Sequence, residues 1–128
     1  MTASKSAIVL FAHGARDPRW AAPFEAVASA VRAADPTRPV VIAFLELMQP
    51  DLAEAVDGLA ASGATRIDIV PLFLGTGGHL RKDLPPLVES ARARHPAASI
   101  RLHPAIGEDT AVTRAMAVAA LGMATSGE

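Results

Sequence analysis

The sequence predicts an α/β protein: a three-layer sandwich around a four-stranded parallel sheet, built from flavodoxin-like βα repeats. Two observations carry that prediction. Short apolar runs without polar alternation recur along the chain, the habit of strands buried on both faces. Between them lie stretches whose apolar residues fall three and four apart, the stripe of an amphipathic helix. Strands alternating with such helices give a parallel sheet with right-handed crossovers.

Each element has its own justification. Ala7–Phe11 is continuously apolar and reads as the first strand. His13–Trp20 is a polar loop holding Gly14 and Pro18. A helix is expected over about 21–34, with Phe24, Val27, Ala28 and Val31 on one stripe, and Asp35–Pro39 ends it because proline cannot continue a helix. Val40–Leu45 is the second strand and Glu46–Pro50 the turn after it. Asp51 is a helix cap for the stripe Leu52, Ala55, Val56 and Leu59, with Ser62-Gly63 as its stop. Arg66–Leu74 is the third strand and Gly75–Gly78 the loop that follows. The third helix runs from about Asp83, or from nearer His79, to Arg94, with Leu84, Leu87, Val88 and Ala91 inward and Asp83 as a cap. Ser99–His103 alternates, as an edge strand does. Asp109 or Thr110 opens a last helix with Val112, Ala115, Met116 and Ala119 inward, and the tail after Gly122 reads as frayed.

The 128 residues fit one domain, with an ordered core over about 6–122. With 12 basic and 13 acidic residues the chain lacks the basic surface that nucleic acid requires. There is no cysteine, which removes disulfides, thiolate nucleophiles and thiolate metal ligation. No apolar run approaches the roughly 18 residues of a membrane span, and residues 1–6 do not read as a signal peptide. A cytoplasmic protein is expected.

The chemistry gathers at strand ends. In open parallel sheets ligands bind beyond the carboxyl ends of the strands. His13, Glu46 and the Gly75–His79 loop each follow a strand, so all three share that edge. Two imidazoles and a carboxylate form a common metal set, and imidazole is also the usual base near neutral pH. Gly75, Gly77 and Gly78 let a backbone approach an anion or a flat ligand, without the spacing of a nucleotide loop. Arg16, Arg19, Arg81 and Lys82 flank the histidines and suit a ligand bearing several carboxylates or phosphates. Asp17 orients a neighbour or caps. His95 and His103 are expected to be structural.

HGARDP at residues 13–18, FLELMQP at 44–50, PLFLGTGGHLRKDLP at 71–85 and Pro104-Ala105-Ile106-Gly107 together resemble the class II tetrapyrrole chelatases of the CbiX/SirB type. The resemblance covers about residues 7–122 and looks like the short, single-domain form. It implies a chelatase-like fold and insertion of cobalt, iron or nickel into sirohydrochlorin, in cobalamin or siroheme biosynthesis. The divalent metal would be a substrate, with no permanently bound cofactor, and the assembly a homodimer. His13 would be metal ligand and proton acceptor, His79 the second ligand, and Glu46 a contributor to metal or substrate binding. Leu74, Gly75, Thr76, Gly77 and Gly78 would line the tetrapyrrole, with Arg16, Arg81 and Lys82 on its carboxylates. One departure is Ala15, where the family more often has serine. Two alternatives stand beside this reading: a metal carrier without turnover, and a histidine-dependent phosphate-ester hydrolase. The hydrolase is disfavoured by Ala12, where histidine phosphatases carry an arginine.

Overall fold

A computed structural model of the chain describes residues 5–75 and 77–126, with the backbone alone for His79. Four strands, β1 (Ser6–Ala12), β2 (Val40–Phe44), β3 (Arg66–Pro71) and β4 (Ser99–Leu102), form one parallel sheet in the order β2-β1-β3-β4. The helices are α1 (Ala22–Ala34), α2 (Leu52–Ala61), α3 (Gly78–Arg94) and α4 (Thr110–Thr125), with short 3-10 turns at Pro18–Ala21 and Ile106–Glu108. The expected α/β fold with a parallel sheet is therefore present. Strand three ends three residues earlier than expected, at Pro71, so that Leu72, Phe73 and Leu74 already belong to the loop.

β1 is central and buried on both faces. On one side Ala7, Val9 and Phe11 join Ile67 and Ile69 of β3 against Leu52, Val56 and Leu59 of α2 and Leu84, Val88 and Ala91 of α3. On the other, Leu10 and Ala12 join Val40, Ile42 and Phe44 of β2 against Ala28, Phe24 and Val31 of α1. Each fully buried side chain of this kind, such as Phe11 or Val56, contributes about 1.5–3 kcal/mol. Val27 and Leu87, both expected inward, are instead 40% and 41% exposed.

The start of α2 follows its sequence closely. Glu54 N–H donates to Asp51 Oδ1 at 2.8 Å and Asp51 N–H donates to Glu54 Oε1 at 3.1 Å, a reciprocal cap. Asp109 caps α4 through Ala111 N–H at 2.8 Å. Two expectations are corrected. Of the two expected starts of α3 the structure has the one near His79, at Gly78 after the extended Gly77, so Asp83, expected as a cap, lies inside the helix. Pro85 and Pro86 made the later start look natural, since proline favours a first helical turn. In fact the helix runs through both prolines, which sit on its exposed side and forgo two backbone hydrogen bonds.

The second correction concerns α4. Ala115, Met116 and Ala119 are exposed and Val112 only half-buried, so the predicted inward stripe packs on nothing in this chain's core. The helix packs chiefly against the 3-10 turn just before it.

Candidate functional site

Because β1 lies between β2 and β3, the loop after β1 has the β2 loop on one side and the β3 loop on the other. Chain order reverses direction in the sheet between β1 and β3, the place where open α/β sheets form their ligand crevice.

On the β2 side, backbone pairing runs past the strand ends. Leu45 N–H donates to Ala12 O at 2.9 Å and Glu46 N–H to His13 O at 3.1 Å. That pairing brings His13 Nε2 to 3.1 Å from Glu46 Oε1. The side chains are 47% and 55% exposed, so solvent and ligands reach them. A pair this exposed adds at most about 1 kcal/mol to stability and is easily exchanged for a ligand. Gly14 makes the approach possible: its φ is +101°, and a Cβ there would lie 1.8 Å from Glu46 O.

The β2 loop is held in a strained form. Met48 N–H donates to Glu46 O at 2.8 Å, two residues back, across Leu47 at φ 66°. That combination is the rarer, positive-φ form of the γ-turn. For a residue with a large side chain it costs roughly 1–2 kcal/mol. Phe44 N–H to Pro50 O at 2.9 Å closes the loop just before the α2 cap.

On the β3 side, Phe73 meets the His13 ring edge to face, with centroids 6.5 Å apart at 77°, and rests in turn on Phe11 at 6.2 Å and 87°. Imidazole orientation is thus set by an aromatic on one side and a carboxylate on the other. Gly107, from the loop after β4, receives this segment: its N–H donates to Phe73 O at 2.9 Å, and a Cβ on it would fall 2.0 Å from Leu74 O.

His79 occupies the first turn of α3, two positions after its Gly77 cap, on the same edge as His13 and Glu46. Its side chain and Thr76 lie outside the described residues. Leu74 is 68% exposed, and Gly75, Gly77 and Gly78 are exposed with it. Arg81 and Lys82 are exposed near the α3 N-terminus, whose partial positive charge also favours anions. Arg16 is exposed beside the His13 loop. Arg19 lies 3.0 Å from the Asp17 carboxylate, which also accepts its backbone N–H at 2.9 Å, and these two bonds lower the Asp17 pKa from its ordinary value.

Among the described residues no three His, Asp or Glu side chains converge as a metal site; His13 and Glu46 stand as a pair. Their 3.1 Å separation suits two donors on one ion, since ligands about 2.0–2.2 Å from a metal lie roughly 3 Å apart.

His95 and His103 pair with other carboxylates. His95 Nε2 lies 2.6 Å from Asp57 Oδ1, where it ties α3 to α2 together with Arg94. His103 Nε2 lies 2.8 Å from Oδ1 of Asp68, a carboxylate only 7% exposed. Arg101 Nε donates to the same oxygen at 3.0 Å and Arg66 Nε to the other at 3.2 Å. Burial pushes the Asp68 pKa up, but the hydrogen bonds from His103 and Arg101 and the charges of both arginines outweigh it and hold it below the usual value.

Phe73, Leu47 and Gly107 lie within the motifs at 71–85, 44–50 and 104–107, but sequence pattern assigns none of them a role of its own. A lone phenylalanine after a strand gives no signal, and leucine has no preference for positive φ. Asp68 had a signal: a carboxylate inside the run Arg66–Pro71 needs a buried partner.

The CbiX family model matches residues 7–120. The sirohydrochlorin cobaltochelatase of Methanopyrus kandleri is 37% identical over 82 residues, 64% of this chain and 57% of that protein. The sirohydrochlorin ferrochelatase of Bacillus subtilis is 30% identical over 112 residues, 88% of this chain and 43% of that protein. The chain thus spans about half the length of the curated relatives it matches. Among solved structures, a putative cobalamin biosynthesis CbiX protein from Marinobacter aquaeolei is 33% identical with a TM-score of 0.84, over 94% of this chain and 98% of that one.

Proposed function

This chain belongs to the CbiX family, and from that premise we propose that it inserts a divalent metal, cobalt or iron, into sirohydrochlorin. The observation that carries the reading is the exposed His13–Glu46 pair at 3.1 Å, at the sheet edge that the first turn of α3, which includes His79, also occupies. Two protein donors on a solvent-facing edge hold an ion incompletely, unlike a closed structural site, and incomplete ligation lets the ion leave.

The proposed sequence uses these residues in order. His13 and Glu46 take the incoming ion, His13 through its Nε2 lone pair, and His79 is the second imidazole ligand. The macrocycle lies against the Leu74–Gly78 loop, Thr76 included, with Arg16, Arg81 and Lys82 on its carboxylates. Insertion moves the ion to the ring nitrogens and releases two pyrrole protons. The His13 imidazole and the Glu46 carboxylate, both freed of the ion, are two bases for those two protons. The edge-to-face contact with Phe73 keeps the imidazole in place while its partner changes.

The protein is proposed to work in the cytoplasm as a homodimer and one domain. Among the described residues no helix is long and apolar enough to cross a membrane. Met116, Val118, Leu121 and Met123 leave α4 with a 47–76% exposed apolar surface, which supports a subunit contact.

The test mixes purified protein with sirohydrochlorin and Co²⁺, Fe²⁺ or Ni²⁺ and follows the visible spectrum. Insertion faster than the protein-free background is expected with at least cobalt or iron, and His13→Ala and His79→Ala should each lower the rate by about 10²-fold or more. Metal bound with no acceleration for any ion would make the protein a carrier and remove the chelatase reading.

A further inference from the structure

Leu47 is both strained and exposed. Its φ is 66°, a region where glycine and asparagine sit at ease and leucine does not. A buried leucine could offset such strain through core contacts, but Leu47 is 60% exposed. The turn's own hydrogen bond from Met48 N–H to Glu46 O holds this conformation, and the Leu47 side chain adds little core packing to offset it. Strain of this kind concentrates where a ligand is held.

Its position says which ligand. The two groups that touch the His13 ring are Glu46, through a 3.1 Å contact, and Phe73, edge to face. Each is followed at once by an exposed leucine, Leu47 and Leu74, which are 60% and 68% exposed. Both are therefore carried by the loops that flank the metal-accepting imidazole, one from each side of β1. An extended planar ring with an acidic rim has apolar faces and needs apolar contact near its centre, where metal must enter. The basic residues Arg16, Arg81 and Lys82 suit only its rim.

We propose that Leu47 is a substrate-contacting residue, held by the γ-turn so that its side chain meets the face of the tetrapyrrole beside the His13–Glu46 pair. The proposal rests on the chelatase reading and deepens it. The turn explains the geometry: Leu47 and Glu46 share one rigid hydrogen-bonded unit, so the apolar contact and the metal ligand keep a fixed relation. An extended backbone at Leu47 would lose the Met48 N–H to Glu46 O bond.

Leu47→Asn and Leu47→Met separate contact from conformation. Asparagine tolerates positive φ and removes the apolar contact; methionine keeps the contact. Five quantities are measured for each variant and the parent: affinity for sirohydrochlorin by absorbance titration, affinity for Co²⁺ alone, KM and kcat for insertion, and sedimentation. Leu47→Asn should weaken ring affinity and raise KM roughly tenfold, with kcat, Co²⁺ affinity and sedimentation within about twofold of the parent. Leu47→Met should stay within about threefold throughout. Unchanged ring affinity in Leu47→Asn overturns the proposal. So does a parallel loss of Co²⁺ binding, which would make the turn a support for Glu46 only, or a change in sedimentation alone, which would make Leu47 a contact to a second copy. If the parent protein fails to bind sirohydrochlorin, the chelatase reading falls and this proposal with it, a result read before any variant is made.

Discussion

Replacing Gly14 by alanine should break the site from beneath. Gly14 has φ +101°, and its Cβ would lie 1.8 Å from Glu46 O and 2.9 Å from Glu46 C. Two costs arise. Forcing an L-residue into left-handed backbone costs roughly 1–2 kcal/mol. Relieving an overlap with backbone, which cannot rotate away as a flexible side chain can, costs roughly 1–3 kcal/mol more. The sum, roughly 2–5 kcal/mol, is at the upper end for a single substitution. In urea, with a slope of about 2 kcal/mol per molar, the midpoint should fall by roughly 1–2.5 M. Glu46 must also move off His13, because Glu46 N–H donates to His13 O on the same stretch. Co²⁺ affinity should therefore drop along with stability. Gly75 supplies the control: a Cβ there meets nothing within 4 Å and its φ is not positive. Gly75→Ala should shift stability by less than about 0.5 kcal/mol. A Gly14→Ala midpoint equal to that of Gly75→Ala would refute the argument that this glycine holds the pair together.

Three more outcomes follow from the same geometry. Gly107→Ala places a Cβ 2.0 Å from Leu74 O and should displace the Leu74 loop, raising KM for the tetrapyrrole by about tenfold or more in the insertion assay. Asp68→Asn should cost about 1–3 kcal/mol in urea unfolding at pH 7, because Arg66, Arg101 and His103 lose their buried carboxylate. The Asp68 pKa is lowered in the folded protein, so its stabilisation is present above the unfolded value near 3.9 and is lost as pH falls through the folded one. The gap between parent and Asp68→Asn should therefore close on acidification below about pH 4, and a gap that widens there would reverse the sign of the argument. If α4 forms the proposed subunit contact, the parent should sediment as a dimer and Met116→Glu with Leu121→Glu as a monomer, with little change in far-UV circular dichroism, since both side chains are already exposed within one chain.

What the sequence disclosed about the fold was local. Apolar runs marked β1 and β2, and Asp51 ahead of the stripe Leu52, Ala55, Val56 and Leu59 marked α2, because a strand's burial and a helix cap are written in adjacent residues. The start of α3 was disclosed only as two alternatives, near Asp83 or near His79: Pro85-Pro86 imitates a helix beginning, and the extended Gly77 decides for the earlier one. Nor was α4, whose periodic stripe predicts burial but not which surface provides it; here that surface is not in the chain's own core. Asp68 and Arg101 are Cα partners across β3 and β4, so their ion pair depends on a register that no single strand states.

The site was legible in its chemistry and illegible in its arrangement, for a topological reason. Sequence order presents His13, Glu46 and His79 as successive strand ends. The sheet order β2-β1-β3-β4 instead sets His13 in the middle, with Glu46 from one neighbour and Phe73 from the other. Two glycines distant in sequence then do the same task on opposite sides: Gly14 admits the Glu46 carbonyl and Gly107 admits the Leu74 backbone. Each loop at the crevice is thus seated on a residue of an adjoining loop, so that no one βα unit could form the site alone. A metal-transfer site benefits from that construction. His13 and Glu46, the proposed ligands, stay exposed enough to release an ion, while their backbones are held by contacts that a Cβ would fill, and position is kept without enclosure.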